Sequence, residues 1–163
     1  EAVRASSVLK KGAGFCVPKA VLLTAVLRAQ GIPARPGFAD VRNHLTTQRL
    51  KAVMETDLFA YHGYVEIFLN NTWVKATPAF NLTLCQHFNV KPLEFDGVHD
   101  SLFHEFDTQG NRHMEYVKDH GTFSDLPYDT IYDAFRRYYP KIFALNASGD
   151  TDEFGGEALS ENH

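Results

Sequence analysis

Hydrophobic positions along the chain change their period several times, and each change marks an element. Ala2 to Leu9 carries a short helical stretch that ends at Gly12. Lys11-Gly12-Ala13-Gly14 makes a flexible turn into a run from Cys16 to Gln30 that is apolar nearly all round. A helix with that pattern is expected inside the domain rather than amphipathic on its surface. Pro18 falls in its first turn, where a missing N–H costs nothing. Gly31 stands where a left-handed C-terminal cap belongs, and Pro33 stops propagation.

Beyond Pro33 the period drops to two. Ala34 to Val41 reads as a strand, and Pro36 and Gly37 within it suggest an edge or a bulge. Residues 42–58 are loosely helical on Leu45, Leu50, Val53 and Met54. Tyr61 to Leu69, rich in aromatic and β-branched residues, turns through Asn70-Asn71 into Thr72 to Thr77, a hairpin closed by Pro78. From 79 to 125 the chain is irregular, punctuated by Pro92, Gly97, Gly110 and Gly121, with one further strand near Arg112 to Lys118. A helix is expected from Tyr128 to Tyr139. The segment from Ser148 carries Asp150, Asp152, Glu153, Glu157 and Glu161 with no Lys or Arg, and is expected to be a disordered, solvated tail. One α+β domain over 1–147, followed by the acidic tail 148–163, is the resulting organisation.

Composition narrows the class. The 163 residues suffice for about one domain, and 44% hydrophobic against 22% charged residues can build a core. Sixteen basic and twenty acidic residues leave a formal charge of −4, which argues against nucleic acid or an anionic membrane as partner. The longest apolar run, Ala20 to Leu27 broken by Thr24, falls far short of the roughly 20 residues that span a bilayer. Two cysteines, Cys16 and Cys85, form no CxxC pair and read as free thiols, the usage of a cytoplasmic protein. His87, His99, His104, His113 and His120, with Asp96, Asp100 and Glu105, show no metal-ligand spacing, so neither metal nor cofactor is expected.

Chemistry concentrates at Cys16. Taken alone, a free cysteine is more often a small buried hydrophobe than a nucleophile. At a helix N-terminus, however, the unpaired N–H groups and the macrodipole favour the thiolate. Gly12 and Gly14 ahead of it let the backbone turn tightly, and the apolar helix behind gives a rigid base. A thiol nucleophile calls for an imidazole on another rigid element. His62 opens the strand Tyr61 to Leu69, where a site at a sheet end would form, and Gly63 removes a side chain beside it.

Gly14-Phe15-Cys16, followed by Lys19-Ala20-Val21-Leu22-Leu23-Thr24-Ala25-Val26-Leu27-Arg28-Ala29-Gln30-Gly31-Ile32-Pro33-Ala34-Arg35, resembles the core motif of the transglutaminase-like superfamily. His62-Gly63-Tyr64-Val65-Glu66, with Asn71, Trp73 and Val74, is similar to its second motif, a histidine opening a strand that leads through a hairpin to a Trp. The two motifs cover about Gly12 to Phe80. The resemblance implies a papain-like, transglutaminase-core α+β fold with the cysteine helix packed on an antiparallel sheet. It also implies a Cys–His–Asp triad and acyl transfer through a thioester. Hydrolysis of peptide or side-chain amides, as in bacterial cysteine proteases of this type, is preferred over cross-linking, because no calcium loop is visible.

One position departs from the pattern. The family's carboxylate stands before a Pro at the end of the Trp strand, and here that residue is Thr77. A Thr hydroxyl accepts a ring N–H bond but brings no charge. Asn81 offers a neutral amide acceptor and Asp96 a more distant carboxylate. The expected catalytic set is therefore Cys16 and His62, with Thr77 or Asn81 holding the ring. A weakened site, or a binding module that keeps the fold, is the alternative. The Cys16 N–H offers one oxyanion donor. Residues 1–15 hold neither Gln nor Trp, so the usual preceding side-chain donor is expected upstream of Glu1 or elsewhere in the fold.

Overall fold

A computed structural model describes residues 3–45, 48–103 and 105–147. Two short-to-medium helices, α1 (Ala5–Lys11) and α2 (Cys16–Ala29), lead into strand β1 (Ala34–Asn43). Helix α3 (Gln48–Met54), the hairpin β2 (Leu58–Leu69) and β3 (Thr72–Ala76), and helix α4 (Leu82–His87) follow. Strand β4 (Met114–Thr122) and helices α5 (Tyr128–Tyr138) and α6 (Pro140–Ala147) complete the described chain. The four strands form one antiparallel sheet in the order β3-β2-β1-β4. The architecture is α+β, as expected. The acidic segment from Ser148 lies outside the described residues.

Local chemistry accounts for the boundaries of the first half. Gly12 ends α1 at φ +68°, and Gly31, at φ +76°, follows the last turn of α2. Asn70 and Asn71, at φ 48° and 62°, are both left-handed, the geometry that a two-residue hairpin turn requires. Along β2, Val65 and Ile67 face α2 and bury with Ala20, Ala34 and Ala76. Tyr64 goes to the opposite face, against Ala39, Val41, Leu102 and Phe103.

Three expectations are corrected. Strand β1 is not an edge: it lies between β2 and β4. Pro36 is tolerated there because β4 pairs with β1 only from Gly37 onward, so the absent N–H faces the end of the ladder. The anticipated bulge does occur, as register shifts between Phe38 and Val41. Helix α2 is not enclosed all round: Val17, Pro18, Ala20 and Thr24 are buried, whereas Val26 is 47% exposed. The sheet and α1 cover two sides of it and leave a third open. Two helices were unforeseen: α4 within the stretch read as irregular, and α6 beyond the helix expected to end at Tyr139. Alpha4 is six residues long and rests on one cap, with Asn81 Oδ1 accepting from Leu84 N–H.

The C-terminal helices close the start of β2. Tyr139 and Ile142 bury with Met54 and Ala60. The Tyr139 hydroxyl accepts from Ala60 N–H at 2.6 Å and donates to Leu58 O at 3.0 Å. That support extends β2 three residues ahead of its apolar pattern. Ile131 joins Val17 and Phe38 beneath the first turn of α2.

Candidate active site

The backbone brings Cys16 to β2. A Cβ built on Gly63 would stand 2.9 Å from Cys16 O and 3.1 Å from the Ala20 Cβ, so only glycine lets the mouth of α2 approach this closely. The N–H groups of Gly63, the residue after His62, and of Val17 in its own helix lie near enough to the Cys16 sulfur to favour its charged form. Burial pushes the thiol above its ordinary value, and these N–H groups, with the charge of Lys19, pull it back only in part. Cys16 and Cys85 are both free thiols.

His62 is 5% exposed. Its ring meets Phe103 edge-on, with centroids 6.4 Å apart. Among the described residues, neither ring nitrogen has a hydrogen-bond partner, the Cys16 thiol included. Burial alone lowers the imidazole to about 4, so the ring is neutral at neutral pH. The Thr77 hydroxyl is likewise buried and unpartnered, while its N–H donates to Ser101 O at 2.9 Å. Carrying the Val65–Ala76 register one step further sets Thr77 beside Tyr64, on the face of β2 that His62 shares by alternation.

The remaining candidates have other partners. Asn81 is exposed, and its oxygen serves the α4 cap. Asp96 lies in an exposed loop, accepting from the N–H groups of Val98 and His99 and pairing with the His99 ring at 2.7 Å. Those bonds hold its carboxyl well below the usual range. His44 pairs with Glu115, and His113 packs against Phe80 and Phe88. Among the described residues, no three His, Cys, Asp or Glu side chains are grouped to hold a metal.

Two features escaped the sequence reading. Lys19 stands one turn along α2 from Cys16, half-buried, and its Nζ donates to Ala79 O at 2.7 Å across 60 residues of chain. Asp40 on β1 accepts from His120 Nε2 on β4 at 2.8 Å and from the Tyr61 N–H at 2.9 Å. The Tyr61 ring stacks on His120 with centroids 4.0 Å apart, and Tyr61 holds a left-handed φ of 52° immediately before His62. A signal for this second pair does exist in the sequence: Asp40 is a lone carboxylate between Ala39 and Val41 in a buried strand.

Fold and site together define an α+β protein in which a helix-borne cysteine meets the strand that carries a histidine. The family model described as the transglutaminase-like superfamily matches residues 1–78, from α1 through β3, and takes in Cys16, His62 and Thr77. Domains of this superfamily usually carry cysteine-dependent acyl transfer. The resemblance seen in the two motifs is thus shown over that stretch. Searches of curated proteins and of solved structures returned no match. Among the described residues, no single helix is long and apolar enough to cross a membrane.

Proposed function

We propose that this protein is a cysteine-dependent acyl-transfer enzyme that hydrolyses peptide or side-chain amides, on a papain-like arrangement of Cys16 and His62. One observation supports this reading above the others. The sulfur abuts the backbone directly after a buried imidazole whose two nitrogens have no partner. A buried polar group left unsatisfied is expensive, about 1–3 kcal/mol, and is rarely retained without a use.

Lowered to about 4, His62 is in the form that accepts a proton. In the reading advanced here, the Cys16 sulfur attacks the amide carbonyl carbon as its proton passes to His62. The oxyanion gathers the N–H groups at the mouth of α2, where the helix dipole favours negative charge. His62 then protonates the departing amine, the C–N bond breaks and a thioester remains. Water attacks that thioester, giving a proton to His62. The C–S bond breaks, the acid departs, and the proton returns to sulfur. Thr77, the expected orienting residue, makes no hydrogen bond to the ring in this structure and brings no charge.

A second reading, a binding module that keeps the fold, is favoured by the uncharged Thr77 and by the upward displacement of the thiol. The two are separated with an activated ester. Incubation with p-nitrophenyl acetate is expected to place one acetyl group on Cys16, seen by peptide mass spectrometry, with a burst of nitrophenol. Cys16→Ala removes the adduct and His62→Ala slows it. Acetylation that spares Cys16 would leave the binding module standing.

A further inference from the structure

Lys19 differs from its fellow lysines in one respect. Lys75 pairs with Asp119 and Lys141 with Glu55, both partly in solvent. Lys19 is half-buried, yet among the described residues no carboxylate lies within ion-pair distance of it. Among the described residues its one hydrogen bond is to a neutral carbonyl, Ala79 O. A desolvated ammonium without an anion is unfavourable unless the site supplies one. The group it faces one helical turn away is Cys16, since positions i and i+3 share a face of a helix.

The surroundings leave Lys19 alone in that role. From β2, the sulfur is met by the Gly63 backbone, while the His62 side chain alternates to the opposite face of the strand, against Phe103, where among the described residues neither ring nitrogen has a partner. From the end of α5, Tyr139 lies near enough for its hydroxyl to sense charge on Cys16, and it is itself neutral, raised by burial. Asp40 is occupied by His120 and the Tyr61 N–H. At the position of the expected carboxylate stands Thr77. A thiolate that forms here meets one positive side chain on its own helix.

Resting on the acyl-transfer reading, we infer that Lys19 is the counter-charge of the Cys16 thiolate. It holds the place that an imidazolium takes where an acid backs the histidine. Through Ala79 O, Lys19 also ties α2 to the segment that follows Thr77. It is a positioning and charge-supplying residue, while the proton still travels by way of His62.

Two measurements on the full chain test this. The first is the pH profile of Cys16 alkylation by iodoacetamide, read by peptide mass spectrometry so that Cys85 is counted apart. In Lys19→Gln, which keeps a donor for Ala79 O without the charge, the midpoint is expected to rise by about half to one pH unit. Alkylation at neutral pH falls about three- to tenfold with it. Lys19→Arg holds the midpoint near that of the native chain. A Lys19→Gln profile that overlays the native one overturns the inference, and Lys19 is then only a strap on Ala79. The second is acetylation of Cys16 by p-nitrophenyl acetate in the same proteins. No adduct on native Cys16, with the alkylation midpoint still displaced in Lys19→Gln, removes the enzyme and keeps the ion pair. An adduct with unmoved midpoints does the reverse.

Discussion

Two nearly buried imidazoles stand on the same sheet, and the fold treats them in opposite ways. His120, on β4, has the Asp40 carboxylate at 2.8 Å and the Tyr61 ring stacked at 4.0 Å. His62, on β2, has Phe103 at its edge and, among the described residues, no partner at either nitrogen. One corner spends its polar groups on the structure. The other leaves them unpaired on the residue before Gly63, whose backbone meets Cys16. A chain able to satisfy one histidine across 80 residues shows that its architecture can supply partners.

The contrast can be broken most severely at the thiol. In the p-nitrophenyl acetate assay, Cys16→Ala is expected to lose about 10³-fold or more of the acylation rate, with stability nearly unchanged. Next in size is the satisfied corner. Asp40→Ala leaves His120 and the Tyr61 N–H without their acceptor, and should lower unfolding stability by about 3–5 kcal/mol in a denaturant titration.

Acid separates the two corners further. The unfolded imidazole titrates at about 6.5 and folded His62 at about 4, so between those values protons bind the unfolded chain preferentially. Stability linked to neutral His62 is whole above pH 6.5 and is lost as pH falls through 4, about 3 kcal/mol in all. His62→Phe should abolish that acid-sensitive share in denaturant curves run from pH 7 to 4. It should also hold neutral-pH stability within about 1 kcal/mol of the native chain, while the acylation rate collapses. The same swap at His120 would be strongly destabilising, and equal losses at both sites would erase the contrast.

The comparison is sharpened by making the poor corner resemble the rich one. Thr77→Asp introduces a carboxylate on the face of β2 that His62 shares. The His62 titration followed by NMR should then rise from about 4 by about 1–3 units, because a nearby negative charge favours the imidazolium. An unmoved titration would put Thr77 out of reach of the ring.

Much of the first half of the molecule was legible from residues alone, because local rules decided it. Gly12 and Gly31 cap helices, Asn70-Asn71 folds a hairpin, and the alternation of Val65 and Ile67 gives β2 its helix-facing side. Long-range packing decided the rest. Alpha4 depends on a single Asn81 cap, and β2 begins early only because the Tyr139 hydroxyl grips Leu58 and Ala60 from the far end of the chain. Pro36 pointed to an edge, yet the ladder to β4 simply stops before it. Cys16 and His62 were candidates through spacing and motif, and the match to the family model takes in both. Lys19 was not one, since its distance from every carboxylate among the described residues and its bond to Ala79 exist only in three dimensions. Asn81, selected for its chemistry, has its oxygen engaged by Leu84 N–H.

The register shifts in β1 between Phe38 and Val41 make the second pair possible. They let Asp40 serve one neighbour through the Tyr61 N–H and the other through the His120 ring. Deleting one residue there would do more than shorten the strand. It would turn the remainder of β1 over, sending Val41 out of its apolar cluster and exchanging inside for outside as far as Asn43.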